Sequence, residues 1–106
     1  IACMGTDTKG KQELETALLA QATVFTDEVA QSISIGEAQH AIAAGLIKQS
    51  DVNELGAVIN GTHPGRTSDD EITLFDGTGV GLQDLAVAAS IVKLAIAQGI
   101  AIEVDF

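Results

Sequence analysis

Two short stretches carry residue types that could do chemistry. The first is Gly5-Thr-Asp-Thr-Lys-Gly-Lys11, a polar loop with two glycines behind the apolar run Ile1-Ala-Cys-Met4. A carboxylate in such a loop, at the C-terminal end of a buried strand, sits where parallel α/β sheets bind ligands. Within hydrogen-bond reach of a ligand, a carboxylate such as Asp7 can take up or return a proton. On residue type alone, Asp7 is also an ordinary loop residue, and Lys11 a solvated lysine opening a helix. The second stretch is Gly77-Thr-Gly-Val-Gly81, which follows Ile72-Thr-Leu-Phe75 and precedes the least polar segment of the chain. A strand that ends in glycines and reopens as a helix lets backbone approach a ligand and presents N–H groups there. The same spacing also makes a plain tight turn.

Other candidates are weaker. Asp69, Asp70 and Glu71 are consecutive acids before a strand, with no His close in sequence, so they read as a solvated turn and no metal is expected. His40 reads as a helix-surface residue and His63, before Pro64, as a turn residue. Neither has a nucleophile near it in sequence, which argues against a Ser/His or Cys/His site. Cys3, the single cysteine, sits in an apolar run and reads as a small buried side chain. One cysteine excludes an internal disulfide and fits a reducing compartment.

The elements that must position these residues alternate. Strands are predicted at Ile1–Met4, Thr23–Thr26 and Ile72–Phe75, with a last strand from Ile100 to Val104. Helices are predicted over Gln12–Gln21, over a segment capped by Asp27 and closed by Gly36, over Glu37–Ala44, over Asp51–Asn60 with Ser50 as N-cap, and over Gln83–Gln98. In the fourth helix Val52, Leu55 and Ile59 are expected inward, and Leu46 and Ile47 are expected to pack beneath it. The order predicts an α/β fold, a partial Rossmann-like parallel sheet of about three strands with right-handed crossovers, flanking helices, and a C-terminal helix plus strand. Between Leu85 and Ala97 only Ser90 and Lys93 are polar. A helix apolar nearly all round demands cover, which predicts packing on another domain or subunit and a homo-oligomer.

Hydrophobic residues make up 46% of the 106, enough for one small core. Fifteen acids against five bases set a net charge of −10, which repels nucleic acid and anionic membranes. No apolar run is long enough to span a bilayer, so the chain reads as soluble and cytoplasmic. Ile1 is not a start residue, which predicts that the chain begins inside a longer gene or after processing.

Gly5 to Leu14 and Pro64 to Gly79 closely resemble the ornithine cyclodeaminase/mu-crystallin family, and Gln83 to Ala88 and Gly99 to Asp105 fit the same pattern. The resemblance covers essentially the whole chain and matches the C-terminal third of the family's proteins. It implies that residues 1–80 are the C-terminal half of a Rossmann-like NAD(P)-binding domain. Residues 81–106 would return to the dimerisation and substrate domain. It implies Asp7 as the catalytic proton donor and acceptor, Lys11 as a cofactor contact, and the backbone of Ile1, Ala2, Cys3 and Met4 beside the nicotinamide. Gly77 and Thr78 match positions that touch nicotinamide and substrate, Gly77 on the cofactor side and Thr78 on the substrate side. The family's usual pattern has Ser where Gly77 stands, so a side-chain hydroxyl is lost. Arg66, Asp69, Asp70 and Glu71 form the most family-specific string and are expected to do structural work, including an Arg–carboxylate contact. The implied cofactor is NAD(H) or NADP(H), or none held by this chain alone, because the dinucleotide fingerprint is not among these residues. The implied substrate is a small amino acid or cyclic imine. Three functions are consistent with this: part of an NAD(P)-dependent ornithine cyclodeaminase or imine/amino acid oxidoreductase, inactive alone; a non-catalytic relic that folds by oligomerising; or a small binding module.

Overall fold

The computed structural model describes residues 1–105. The expected α/β architecture is found. Four strands, β1 (Ala2–Cys3), β2 (Thr23–Thr26), β3 (Val52–Glu54) and β4 (Thr73–Asp76), form one parallel sheet in the order β1-β4-β2-β3. In register, Val24 lies opposite Leu74 and Val52, Thr26 opposite Asp76, and Asp76 opposite Cys3. Successive side chains alternate between faces, so these residues share one face of the sheet. Helices α1 (Thr16–Leu19) and α3 (Ala38–Ala43) cover that face. They close a core of Cys3, Leu19, Val24, Ala38, Ala41, Val52 and Leu74, with Val29 and Ile33 of the α2 region (α2, Val29–Ser32) at its margin. Burying Leu19, Val24 and Leu74 stabilises the fold by about 1.5–3 kcal/mol each. The other face carries Phe25 and Phe75. It is covered in part by α4 (Leu55–Ile59), leaving an apolar cavity of about 310 Å³ between Ile1, Phe25, Leu55, Val58 and Phe75.

Several expectations are corrected. The sheet has four strands rather than about three, because the segment expected to be one helix from Asp51 to Asn60 divides. A 3-10 turn at Gln49–Asp51 leads into β3, and only Leu55–Ile59 is helical. Pairing with β2 buries Val52 to 5% exposure, and that ladder overrides the helical spacing of Val52, Leu55 and Ile59; Ile59 ends up 77% exposed. Leu46 is exposed and only Ile47 reaches the core margin. Helix α1 is shorter than expected because the Glu13 and Leu14 N–H groups bond to the Glu37 carboxylate instead of joining a helix. The N-cap of α2 is Glu28, not Asp27: its side chain accepts from the Ala30 N–H at 3.2 Å. Residues 101–105 form no strand, since no neighbouring strand pairs with them.

The last helix, α5 (Gly81–Ala97), appears at nearly the expected place. None of its residues is buried, and Leu85, Ile91, Leu94 and Ile96 are all exposed. No helix among the described residues is long and apolar enough to cross a membrane.

Candidate functional site

Strands β1 and β4 are neighbours, so the loops that leave their C-terminal ends rise from one stretch of the sheet edge. One loop carries Asp7 and Lys11; the other carries Gly77, Thr78 and Gly79. Both chemistry-bearing stretches therefore meet at the same edge, although they are some 70 residues apart in sequence.

Asp7 is exposed and ion-paired: its Oδ1 lies 2.6 Å from Lys11 Nζ, and the Thr8 hydroxyl donates to the same oxygen at 3.1 Å. The hydrogen bond from Lys11, then that from Thr8 and the lysine charge, hold the Asp7 carboxyl below its ordinary range. Asp7 is thus a carboxylate at neutral pH. Lys11 also reaches the Gly5 carbonyl at 3.4 Å.

A second carboxylate, absent from the sequence reading, builds this loop from beneath. Glu37, at the start of α3, is buried and accepts from the Thr6 hydroxyl at 2.5 Å, the Glu13 N–H at 3.0 Å and the Leu14 N–H at 2.7 Å. Hydrogen bonds to a charged acceptor contribute about 1.5–3 kcal/mol each, so Glu37 clamps both ends of the Asp7 loop. The same helix adds Gln39 Oε1, which accepts from the Gly10 N–H at 2.8 Å, and His40 Nε2, 2.8 Å from the Lys11 carbonyl. Residue spacing gives no sign of this clamp, because the contacts span 23 to 31 residues.

On the other side, β4 ends in Asp76, whose carboxylate is fully buried. Its Oδ2 accepts from the Ser32 hydroxyl at 2.6 Å and the Ala38 N–H at 3.2 Å, while Oδ1 has no partner. Burial pushes the Asp76 carboxyl up, and the nearby Glu37 charge adds to this. Cys3, opposite it in the ladder, is pushed up to about 11 by burial first and by Glu37, Glu13 and Asp76 after it. A thiol held that high is protonated and inert at neutral pH.

The glycine turn has its donors filled from inside the chain. The Gly77 N–H bonds to the Cys3 carbonyl at 2.9 Å. The Thr78 and Gly79 N–H groups bond to Asp27 Oδ1 and Oδ2 at 3.3 and 3.1 Å. The Thr78 hydroxyl lies 3.0 Å from Asp27 and 2.9 Å from Gln31 Oε1. It has one proton, which goes to the carboxylate; the Gln31 amide, turned over, donates to the Thr78 oxygen. No N–H of residues 77–79 is left for a phosphate. The floor instead suits a flat apolar ring: Gly77 has no side chain, and Met4 and Phe75 close against it. A Cβ there would lie 2.7 Å from Met4 Sδ and 2.9 Å from Phe75 Cε1. The residues present therefore do not fit the pyrophosphate of a dinucleotide, and their apolar surface is compatible with a flat ring such as nicotinamide. Ile1 and Cys3 spend part of their backbone on β4, through the Phe75 and Gly77 N–H groups.

The expected Arg66–carboxylate contact is replaced by another arrangement. Arg66 donates to the Glu71 carbonyl and, at 2.8 Å, to the Thr73 hydroxyl. The Glu71 carboxylate accepts from the Thr67 N–H at 2.6 Å and from the Thr23 hydroxyl. Planar guanidinium donors suit carbonyl oxygens as well as carboxylates, and the carboxylate is better used on the turn's own N–H. Asp69 and Asp70 stay exposed. Among the described residues no group of three or more His, Cys, Asp or Glu is placed to hold a metal ion.

Comparison with known proteins gives the chain a family. The chain is 69% identical over 105 residues to the iminosuccinate reductase of Paracoccus denitrificans, and 38% identical over 107 residues to the alanine dehydrogenase of Archaeoglobus fulgidus. These matches cover 99% and 100% of the chain but 32% and 33% of the relatives, so the chain spans about one third of their length. The crystal structure of the Paracoccus enzyme in complex with NAD+ superposes with a TM-score of 0.90 at 68% identity, covering 100% of this chain and 33% of that one. A Δ1-pyrroline-2-carboxylate reductase from Thermococcus litoralis, 22% identical, shares the fold with a TM-score of 0.86 over 98% of this chain and 33% of its own. The model of the ornithine cyclodeaminase/mu-crystallin family matches residues 1–98, which include the whole sheet, both candidate loops and α5, and the chain belongs to that family.

Proposed function

We propose that this chain supplies the proton-transfer half of an NAD(H)-dependent oxidoreductase acting at the carbon–nitrogen bond of a small amino acid or its imine. The observation that carries the reading is Asp7: an ionised, lysine-paired carboxylate on the loop that leaves β1, the strand beside the one that ends in the glycine turn. The 69% identity to an iminosuccinate reductase favours reduction of an imine over cyclodeamination. On this reading residues 1–80 are the C-terminal half of the nucleotide-binding domain, and residues 81–106 return to a second domain that forms the dimer. A cytoplasmic location goes with it.

Asp7 holds and moves the proton. In the oxidative direction it accepts a proton from the amine nitrogen as the C–N bond becomes a C=N bond. In the reductive direction it relays to nitrogen, as the π bond opens, a proton that it takes up from the solvent to which it is exposed. Lys11 keeps the carboxylate ionised and oriented between turnovers. The nicotinamide, when bound, takes or gives the hydride at carbon. Met4, Gly77 and Phe75 form the apolar floor, and Thr78, fixed by Asp27 and Gln31, forms the wall toward the substrate. The pyrophosphate cradle must come from residues other than 77–79, so the chain alone is expected to be inactive.

The test is to place residues 1–106 in the Paracoccus iminosuccinate reductase in exchange for the matching third. NAD(H)-dependent turnover of an imine or amino acid is expected from the graft and not from the separate chain. Asp7→Asn in the graft should cut kcat by about 100-fold or more while leaving nucleotide affinity within about 3-fold. An Asp7→Asn graft that keeps its kcat sinks the reading. A second reading, a non-catalytic module that folds by self-association, is favoured by the uncovered α5; an inactive graft with intact nucleotide binding would support it.

A further inference from the structure

Asp27 stands at the C-terminal end of β2, and sequence order places it 50 residues from the glycine turn. Its carboxylate nevertheless gathers the turn's donors. Oδ1 accepts from the Thr78 N–H at 3.3 Å and the Thr78 hydroxyl at 3.0 Å, and from its own neighbour's N–H, Glu28, at 3.0 Å. Oδ2 accepts from the Gly79 N–H at 3.1 Å and from Gln83 Nε2, on the first turn of α5, at 3.4 Å. Partial burial works against the charge, yet the hydrogen bonds from Thr78 and Gly79 outweigh it and hold the carboxyl below its ordinary range. Two consecutive N–H groups ahead of a helix make a concave anion site, and here a side chain of the same chain fills it. Gly79 takes a φ of 77°, the left-handed conformation that turns its N–H toward Asp27.

We propose that Asp27 is a positioning residue: it acts as the resident anion of the Thr78–Gly79 turn, fixes the substrate wall and the start of α5 against β2, and can be replaced by a free carboxylate when its side chain is removed. The inference rests on the reading above that Gly77 and Thr78 face the reacting ligand, but its hold on the turn is measurable without turnover.

The experiment uses Asp27→Ala and formate. In the 106-residue chain, the Thr78 and Gly79 amide resonances should shift on substitution and return, saturably, with millimolar formate; the parent chain should not respond. In the graft, Asp27→Ala should lower kcat about 10–100-fold with the KM for NAD(H) within about 3-fold, and formate should restore kcat. Asp27→Asn should not be rescued, because its amide fills the space formate needs. Its NH2 faces one of the two N–H donors, so at least one resonance must still move. Should the alanine variant not fold, the asparagine variant alone decides: neither resonance moving overturns the proposal. Unmoved resonances in Asp27→Ala also overturn it. Shifted resonances with unchanged kcat reduce Asp27 to a turn fastener and overturn the positioning role, while the proposed function stands. A graft without turnover removes the proposed function, and the formate response still decides whether Asp27 holds the turn.

Discussion

Residue 77 is glycine because two neighbours occupy the place of its side chain. The Met4 thioether and the Phe75 ring edge would both lie within 3 Å of a Cβ there. The serine of the family pattern therefore cannot be accommodated without displacing them, and the absent hydroxyl is matched by the apolar surface that replaces it. Gly77→Ser should destabilise the chain by about 1–3 kcal/mol through overpacking. Met4 is 67% exposed and its thioether can swing away, so the Phe75 ring carries most of the cost and Phe75→Leu should recover much of that loss. Chemical denaturation of the two single variants and the double variant measures the coupling; additive effects would contradict the contact. Asp7, Lys11 and Thr78 stand out as candidates from motif and loop context. Asp27, Glu37 and Asp76 do not, because their partners lie 23 to 52 residues away and exist only once β2, β4 and α3 are side by side.

Among the elements, the turn into β4 is tied down by Glu71. Hydrogen bonds from Thr23 first, then from Thr67, hold its carboxyl down to about 2, against an ordinary value of 4.5. A folded-state value below the unfolded one means that its stabilisation is complete above about pH 4.5 and is lost as pH falls toward 2. Thermal unfolding from pH 7 down to 2 should show Glu71→Gln less stable at neutral pH and converging on the parent at the acid end; a constant gap would refute the role. Asp76 acts in the opposite sense. Its raised value means that its contribution is favourable below an ordinary 3.8 and is lost as pH rises through the folded-state value. The error over residues 51–60 also belongs to this scale. Apolar spacing described a helix, whereas backbone pairing of Val52 to Val24 made a strand, since a ladder position beside a buried neighbour outweighs local periodicity.

For the molecule as a whole, α5 is the outstanding feature. It carries Leu82, Leu85, Val87, Ile91, Val92, Leu94 and Ile96 into solvent, on a body measuring 54 × 32 × 19 Å. At about 25 cal/mol per Å², covering such a surface is a large driving force, and it opposes the repulsion of a net charge of −10. Self-association is expected at micromolar concentration and should strengthen with salt, which screens the charge but not the apolar contact. Light scattering of the parent and of an Ile91→Glu/Leu94→Glu variant tests this: the variant should be monomeric, and a parent that stays monomeric at high salt would contradict the expectation.

The sequence by itself determined the parallel α/β plan, the two loops that carry the candidate residues and the family they belong to. Each of these is written in local apolar runs, glycines and motif order. Tertiary structure alone decided that β4 lies between β1 and β2, and so which carboxylates serve the site from behind. It also decided that the glycine turn spends its N–H groups on Asp27 rather than on a phosphate. The physical reason is that a hydrogen bond between residues 27 and 79 has no local signature: it depends on strand order, and strand order is chosen by the burial of both faces of the sheet.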